Sequence, residues 1–535
     1  MKPWKHPVDE RHASVPRAAI LAVPPVRAAA AIRMLGIGAL SLCSCVGPDF
    51  HRPAPPAVDR YTQQNLPTNL SGVDGPGGAA QRFLSGETVP RDWWTRFGSA
   101  DLNALVAQAM RANPNVKAAQ AALRQALEIA AAQRSAYFPT VQAGFDPTRQ
   151  LNAVGVLQPT LNSGTALFNL FTTQVSVSYV PDVFGANRRQ VESLTALAEM
   201  DRFELDATYL TLTSNVVTAA IEEAGFRAQI AATQRVVALE RQTLDVLRGQ
   251  LDLGAVSGVD VLAQEAALAQ AETTLPPLEK QLQQTHDLIA TLVGKLPPDL
   301  APLHFELDEL QLPQDLPLGV PSELVERRPD VRAAEAQLHA ATAQVGVALA
   351  NMLPQVTITG DIGSTATMMS DLFRSGTGFW TVGASLSQTL FAGGALLHRK
   401  RAADAALDQA AETYRAAVLT AFQNVADALH ALRADADAMA AASRAVHAAD
   451  ETFAITRRQL DLGSVGYVAL LSAEQTDQQA VIALAQARTN RLADTAALFQ
   501  ALGGAVAPPA AAGPATMAPA GSVSGAVATG AGAPP

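Results

Sequence analysis

The side chains of this sequence that could do chemistry are nine histidines and two cysteines, and neither set is arranged for catalysis. No two histidines stand in the HExxH spacing that holds zinc on a helix, and no Gly-x4-Gly-Lys-Ser/Thr loop that would hold phosphates occurs. Cys43 and Cys45 both precede the patterns of the fold, so they form no nucleophile and base pair with a histidine. The sequence therefore predicts a protein that is not an enzyme and that has no metal or cofactor. The histidines of the two repeats described below are interpreted as surface or packing side chains: His286, His304, His339, His398, His430 and His447.

Cys45 ends a segment whose sequence points to secretion and lipidation rather than to catalysis. Residues 26–45 read VRAAAAIRMLGIGALSLCSC, in which basic residues precede an apolar stretch that ends in small residues, the pattern of a secretory signal. Leu42-Cys43-Ser44-Cys45 resembles a bacterial lipobox, whose last cysteine is lipidated and becomes the mature N-terminus. We expect residues 1–44 to be a signal sequence, with the true translation start left open, and Cys45 to carry lipid. The alternative is an ordinary signal followed by a free cysteine.

Charge and hydropathy limit the partners of the remaining chain. The 535 residues include 39 Lys and Arg against 49 Asp and Glu, which gives a formal net charge of −10. Six of the basic side chains lie in residues 1–44, so the chain after them is more acidic still, and we expect no nucleic-acid partner. No run of about 18 apolar residues follows position 45, so the sequence predicts no membrane-spanning helix there. Residues 505–535 are almost wholly small residues and proline, the composition of a disordered tail.

An internal duplication organises the elements. Pro114 opens an Ala-rich helical pattern that ends at Pro139, and Pro329 opens a second that ends at Pro354, so both proline pairs are 25 residues apart. The segment Gln-Leu-Asp-Leu-Gly stands at 250–254 and again at 459–463. Because proline is tolerated in the first turn of a helix and ends one elsewhere, each copy reads helix, strand, loop, strand, helix, tight turn, helix. We assign residues 45–98 to an N-terminal arm, of which residues 46–90 are expected to run along the surface, 99–305 to the first repeat and 306–504 to the second.

Two strands are predicted in each repeat, where apolar and polar residues alternate strictly: about 140–147, 172–183, 355–363 and 379–391. Strands of about ten residues cross a bilayer when tilted, but four of them cannot close a barrel. Since an open sheet edge is not tolerated in lipid, a membrane barrel would have to be shared between copies of the chain, and three copies would supply twelve strands. A small soluble sheet with one wet face is equally compatible with the strands alone.

The long helical patterns favour the barrel. The patterns at 188–251 and 395–460 each predict a rod of roughly 95 Å at 1.5 Å per residue. Their many alanines suit close packing of several helices into a wall. The alternative is a periplasmic coiled-coil scaffold without a pore, which would not explain the paired strands between the rods.

Short motifs stand at the boundaries of these elements. Gly-Pro-Asp-Phe-His-Arg-Pro lies just after Cys45, and a paired-tryptophan segment lies at 92–98. The helix starts Asn113-Pro114 and Arg328-Pro329-Asp330 match each other across the repeats. Further motif residues stand where helices and strands meet: Pro139, Pro354, Gly185, Gly393 and Gly394. In their order and spacing, these motifs resemble those of the TolC-like outer-membrane efflux channels, most closely the lipoprotein branch of the OprM/NodT type.

The resemblance implies a mainly α-helical homotrimer with a twelve-stranded membrane β-barrel and a long α-helical periplasmic tunnel. It implies the outer membrane of a Gram-negative bacterium, contact with outer-membrane lipid, and anchoring through Cys45. The implied partners are a periplasmic adaptor protein and an inner-membrane pump of the RND type. The implied function is the exit duct of a tripartite efflux system for small molecules such as drugs or toxic compounds. A duct for type I protein secretion is the alternative.

The resemblance also implies two sites at the periplasmic end of the tunnel. Family members contact the adaptor through helix hairpin tips, and six residues correspond to these tips here: Gly254, Val256, Ser257, Gly463, Val465 and Gly466. Members narrow the closed end with carboxylates, for which Asp252, Asp450 and Asp461 are the gate candidates. Three like charges around one axis repel each other unless they are hydrated or bind cations. The alternatives are plain interhelical turns and ordinary surface carboxylates.

Overall fold

The structure, a computed structural model, describes residues 46–63, 67–73, 78–151 and 167–504. Cys45 and the tail after residue 504 lie outside the described residues, and so do the predictions made for them. The chain divides into two compact units, and each takes segments from both repeats. The sheet unit contains Thr140–Arg188 and Leu349–Thr389, and the helical unit contains Gly47–Pro139, Arg189–Ala348 and the chain from Leu390.

The described residues form eight α-helices and seven strands. The helices are α1 (Ala100–Ala112), α2 (Pro114–Arg134), α3 (Ala186–Asp252), α4 (Gly258–Leu292), α5 (Pro321–Arg327), α6 (Pro329–Ala350), α7 (Ala395–Asp461) and α8 (Tyr467–Ala501). The strands are β1 (Asn69–Leu70), β2 (Gln81–Ser85), β3 (Thr140–Leu151), β4 (Leu167–Tyr179), β5 (Asp315–Leu318), β6 (Gln355–Ala366) and β7 (Gly378–Ser387). Among the described helices, none combines the length and hydropathy needed to cross a membrane.

The sheet unit is one antiparallel sheet in the order β3-β4-β6-β7. Val175 at its centre lies opposite Ala143 on one side and Ile362 on the other. Every residue of β3 is exposed, and in β7 only Phe379 is partly covered. Large apolar side chains such as Phe145 and Trp380 are therefore left exposed. Within this unit, the two outer strands have no covered face.

The strand bounds differ from the predicted ones in all four strands. β3 continues through Pro147 to Leu151, beyond the predicted end at 147, because it is an edge strand and proline is tolerated there. β4 begins at Leu167 and ends at Tyr179 rather than spanning 172–183, since Pro181 lacks the N–H that a further ladder bond needs. β7 ends at Ser387, so the predicted residues 388–391 lie outside the sheet. β6 exceeds its predicted end of 363 by three residues.

The helical unit is built around the long helices α3 and α7, each of 67 residues, or about 100 Å at the rise of an α-helix. α3 and α8 approach each other closely at Gly225, where a Cβ would stand 2.3 Å from Thr489 Oγ1. The core of the unit includes apolar residues of the four longest helices, among them Val217, Ile221, Ile289, Leu429 and Phe499. Small residues at the crossing therefore determine how tightly the long helices pack.

The duplication is visible as repeated contacts at the ends of the repeats. In the first repeat, Asn113 Nδ2 donates to the carbonyl of Leu292 at 2.9 Å. In the second, Arg328 Nη1 donates to the carbonyl of Ala501 at 2.7 Å. Each repeat thus ties the start of its second helix to the end of its last one. The glycines that follow those last helices, Gly294 and Gly503, adopt matching left-handed conformations with φ of 71° and 72°.

The arm before residue 98 enters the core, and the expectation that residues 46–90 run along the surface is wrong for β2 (Gln81–Ser85), where Gln81 and Phe83 are buried. β2 pairs in parallel with β5 and antiparallel with β1. Trp93 and Phe97 are fully buried, and both rings pack against aromatic neighbours. Burial of these rings removes a large apolar surface from water, and this stabilises the contact between the arm and the helices.

Candidate functional site

The two hairpin tips are turns of the same geometry, which we call tip 1 (residues 253–257) and tip 2 (residues 462–466). Gly254 and Gly463 both have a φ of 73°, the left-handed conformation that glycine adopts readily after a helix. Each turn is closed by two backbone bonds of the Schellman pattern, at 2.9 and 2.8 Å in tip 1 and at 2.9 Å twice in tip 2. The repeated Gln-Leu-Asp-Leu-Gly segment therefore encodes one turn twice.

The tips differ in how the following helix begins. In tip 1, the carboxylate of Asp260 accepts hydrogen bonds from the Ser257 hydroxyl at 2.8 Å and the Ser257 N–H at 2.9 Å. These hydrogen bonds, that of the side chain first, lower the pKa of Asp260 below its usual value. In tip 2, the corresponding position is Gly466, and no side chain caps α8. Tip 1 is thus the more firmly ordered start of the two.

Both tips present exposed side chains at the free end of a hairpin. Leu253 is 85% exposed and Leu462 is 82% exposed, and both occupy the same place in their turns. Val256 and Val465 are partly buried, while the other four predicted tip residues are exposed. At each tip, an exposed leucine followed by a glycine provides a small apolar contact surface, and no other residue crowds the glycine.

The three predicted gate carboxylates lie near the tips and are exposed. Asp252 is the last residue of α3 and Asp461 the last residue of α7. Asp450 lies about three turns before the end of α7, close enough to Asp477 of α8 for their charges to interact. The sequence alone does not single out Asp477. Burial and the negative charge of Asp450 together raise the pKa of Asp477. Asp450 therefore belongs to a pair of acids rather than standing alone on the helix.

A buried carboxylate that the sequence did not single out connects the two hairpins. Glu240 on α3 accepts hydrogen bonds from the amide of Gln264 on α4 and from the amide of Gln475 on α8. Its side chain is buried, so one carboxylate holds three long helices together. The only signal in the sequence is an acid inside the apolar run Val-Val-Ala-Leu-Glu.

The segment just after Cys45 is docked on helices α3 and α6. A Cβ on Gly47 would lie 2.4 Å from the Cα of Gly346, so the two backbones touch at a pair of glycines. Three side-chain pairs continue the contact: Asp49 Oδ1 with Arg189 Nη2 at 2.5 Å, the stacked rings of Phe50 and His339 at 4.3 Å, and Arg52 Nε with Glu335 Oε1 at 3.0 Å. The residue predicted to carry lipid therefore immediately precedes a segment that is fixed to the helical unit.

The junction residues lie at element boundaries. Pro139 and Pro354 directly precede β3 and β6, and Gly185 precedes α3 with a φ of 82°. Gly393 and Gly394, with φ of 58° and 85°, precede α7. Asp182, which the sequence analysis did not single out, accepts from the N–H groups of Asn187 and Arg188 at 3.0 and 2.8 Å and so caps the first turn of α3. Within the described ranges, no group of three or more His, Cys, Asp or Glu is placed to hold a metal.

Comparison with known proteins shows what the chain is similar to. A family model described as "Outer membrane efflux protein" matches residues 105–295 and 320–504. The pyoverdine export outer membrane protein OpmQ of Pseudomonas aeruginosa is 30% identical over 424 residues, which cover 77% of this chain and 87% of that protein. Nodulation protein T of Rhizobium leguminosarum is 27% identical over 484 residues, or 89% and 94% of the two chains. The solved structure of the outer-membrane channel OprN matches with a TM-score of 0.74 and 28% identity, covering 86% of this chain and 99% of that one.

Proposed function

The chain belongs to the outer membrane efflux protein family, and from this premise we propose that three copies form a lipid-anchored exit duct. The membership confirms the resemblance to the TolC-like channels of the OprM/NodT type. The protein is the outer-membrane exit duct of a tripartite efflux system, in which family members work with an adaptor and an inner-membrane pump. This function decides against a scaffold without a pore.

The observation that carries the trimer proposal is the four-stranded sheet, whose two outer strands have no covered face. Its strands contain 12, 13, 12 and 10 residues, enough to cross a bilayer when tilted. The strands β3 and β7 each lie at an edge of the sheet in the described part of the chain. Because lipid does not tolerate open edges, we assign these edges to neighbouring copies, so that three sheets close a barrel of twelve strands. The long helices of the three copies would then form the periplasmic tunnel.

Single-channel recording tests the exit-duct function. The full-length mature protein, extracted in detergent and added to a planar lipid bilayer, should produce discrete and uniform conductance steps. A sample of the same detergent without protein controls for leakage. Bilayers that stay silent at protein amounts sufficient for insertion would contradict the duct.

We assign tips 1 and 2 to the adaptor. Their support is the position of an exposed leucine in each turn and the free approach to the glycines beside it. An RND-type pump is proposed as the inner-membrane partner, and small molecules such as drugs or toxic compounds as the exported substrates. The relative OpmQ is named for export of pyoverdine, which is in keeping with a small-molecule cargo.

The gate assignment predicts a change in conductance. If Asp450 and Asp461 line the closed end, then Asp450→Ala and Asp461→Ala should each raise the single-channel conductance and weaken block by divalent cations, because a ring of three charges that binds cations is removed. The measurement is conductance in planar bilayers with and without added Mg²⁺. Glu412→Ala, which removes an exposed acid elsewhere on α7, serves as the control. Unchanged conductance and unchanged block in a variant would remove that residue from the gate.

The lipid-anchor assignment predicts the effect of one cysteine. Cys45→Ala should abolish incorporation of labelled palmitate, while Cys43→Ala should leave it intact, because only Cys45 has a small residue before it in the lipobox-like segment. Labelling in growing cells followed by purification measures both variants. Label retained in Cys45→Ala and lost in Cys43→Ala would place the anchor at the other cysteine.

A further inference from the structure

Two carboxyl groups face each other between α7 and α8. Asp494 on α8 lines a cavity with Ala431 of α7, and Asp435 follows Ala431 by one helical turn, so the two carboxyl groups lie at the same level of the hairpin. A hydrogen bond between them is one cause of the raised pKa of Asp435. The Oδ2 atom of Asp435 is buried, and none of the described residues provides it with an N–H or hydroxyl donor. An ionised carboxylate has no hydrogen to donate. The contact between the two acids therefore requires that the pair holds a proton.

The nearest cation does not neutralise this pair. Arg491 lies one turn before Asp494 on α8 and is only 1% exposed. Its guanidinium donates to Gln81 Oε1 at 3.0 Å and to the carbonyl of Ala79 at 3.3 Å, and it contacts the sulfur of Met439 at 3.6 Å. In the described part of the chain, no carboxylate comes within 4.0 Å of it. The hydrogen bonds of Arg491 therefore go to the arm and to α7, and Arg491 acts on Asp435 only through its charge at a distance.

Gln81 keeps Arg491 in this position. Its side chain is fully buried on β2, and its amide donates to the carbonyl of Pro313 at 2.9 Å and to Thr495 Oγ1 at 3.1 Å. A turn of Arg491 toward the acids would break its bond to Gln81 and leave buried polar groups unpaired. The network around Gln81 thus makes it costly for Arg491 to compensate a negative charge on the pair.

The surroundings of Asp494 provide no second cation that is free among the described residues. Asp494 lines a cavity of about 380 Å³ together with Arg328 and Asp427. Arg328 is engaged by Asp330 at 2.6 Å and by the carbonyl of Ala501 at 2.7 Å. Asp427 adds a further negative charge on α7. Except for Arg491, the charged groups around the pair therefore favour its protonated form, because Arg328 is already paired and Asp427 is negative.

These contacts place the pKa of Asp435 in the physiological range. Burial, the hydrogen bond to Asp494 and the charge of Asp494 raise the pKa of Asp435 to about 7, and the positive charge of Arg491 opposes this rise. Two carboxyls that share a site cannot both ionise without repulsion, so the proton belongs to the pair.

We propose that Asp435 and Asp494 form a proton-dependent latch between α7 and α8, which holds the two helices together while the pair shares one proton and loosens them when both carboxyls are ionised. The latch is independent of the exit-duct function, since it rests on packing within one chain. The latch makes the α7–α8 hairpin, whose turn is tip 2, sensitive to pH. It lies far from the gate candidates near the tips. The latch responds to protonation alone and binds no other ligand.

The sign of the pH effect follows from the raised pKa. Between about pH 4 and pH 7, the folded protein holds a proton that the unfolded chain has released, so stability falls as the pH rises through this window. In Asp435→Asn, the amide that replaces the carboxyl would donate to Asp494 at every pH, as the protonated acid does. We expect the melting temperature of the wild type to fall from pH 5 to pH 8 by more than that of Asp435→Asn. The variant should be the more stable protein at pH 8, and the two should converge at pH 5.

The test uses the full-length protein in detergent, with thermal unfolding followed from pH 5 to pH 8. Asp437→Asn, which changes an exposed acid on the same helix, should keep the wild-type profile. Asp494→Asn provides a second way to leave one carboxyl group in the pair and should also flatten the profile. Infrared difference spectra should show a protonated carboxyl in the wild type at pH 6 that Asp435→Asn lacks. A wild-type profile in Asp435→Asn, a variant less stable than the wild type at pH 8, or the absence of the protonated-carboxyl band would each overturn the latch.

Discussion

Trp93→Ala should lower the free energy of unfolding by about 3–5 kcal/mol, the range found when a buried aromatic side chain is cut back to alanine. Trp93 is fully buried, and its ring packs against Phe97 at a centroid distance of 6.3 Å and against Phe499 at 5.4 Å. The loss has no hydrogen-bond component, since Trp93 Nε1 has no partner among the described residues. Denaturant unfolding of the detergent-solubilised protein measures the change.

Two variants show whether the loss comes from packing. Trp93→Phe keeps much of the buried ring, so its cost should be well below that of the alanine variant. Trp94→Ala removes a neighbouring ring that is only partly buried, and it should cost less than Trp93→Ala. Equal costs for Trp93→Ala and Trp94→Ala would contradict the burial of Trp93 between the arm and the end of α8.

Glu223→Ala should lower the free energy of unfolding by about 3 kcal/mol, because it leaves buried partners without their carboxylate. Glu223 on α3 is fully buried and accepts from the Nε of Arg227. It also lies 3.1 Å from His286 Nε2 on α4, and its second oxygen accepts from the N–H of Phe305 at 3.1 Å. The carboxylate therefore joins two helices and the segment that follows them.

The adjacent acid provides the matched control for Glu223. Glu222→Ala removes a carboxylate that is only partly buried and has no such set of bonds in the described structure, and it should change stability by less than about 1 kcal/mol. Glu223→Gln should fall between the wild type and the alanine variant, because its amide still accepts from the N–H of Phe305. If Glu222→Ala were as harmful as Glu223→Ala, the network at Glu223 would not be the cause.

Features that depend on near neighbours could be predicted from the sequence. The long helices were expected at 188–251 and 395–460, and the structure has them at Ala186–Asp252 and Ala395–Asp461. The turns at Gly254 and Gly463 follow from a glycine placed just after a helical pattern, where a left-handed residue ends a helix. Both kinds of feature are decided within a few turns of the chain, so periodicity and turn residues are sufficient to find them.

Features that depend on distant partners could not be predicted in this way. β2 pairs with β5 across more than 200 residues, and neither of these two short strands gives a pattern that names its partner. Buried acids such as Glu223 and Glu240 look like ordinary surface charges in a long helix. An acid inside an apolar run is the one local sign of such burial, and it does not say which donor will meet it. The sequence predicts the end of a strand at Pro147 because it does not show which strand lies at an edge.

The central claim is that three copies of this chain form one channel, and the mass of the intact complex tests it most directly. Native mass spectrometry of the protein extracted from outer membranes should give the mass of three lipidated chains, with no dominant smaller species. The open edges of β3 and β7 require a barrel that is shared between copies, and three copies supply the twelve strands that we propose. A complex of one chain or two chains that is stable in detergent would contradict the shared barrel and, with it, the trimeric duct.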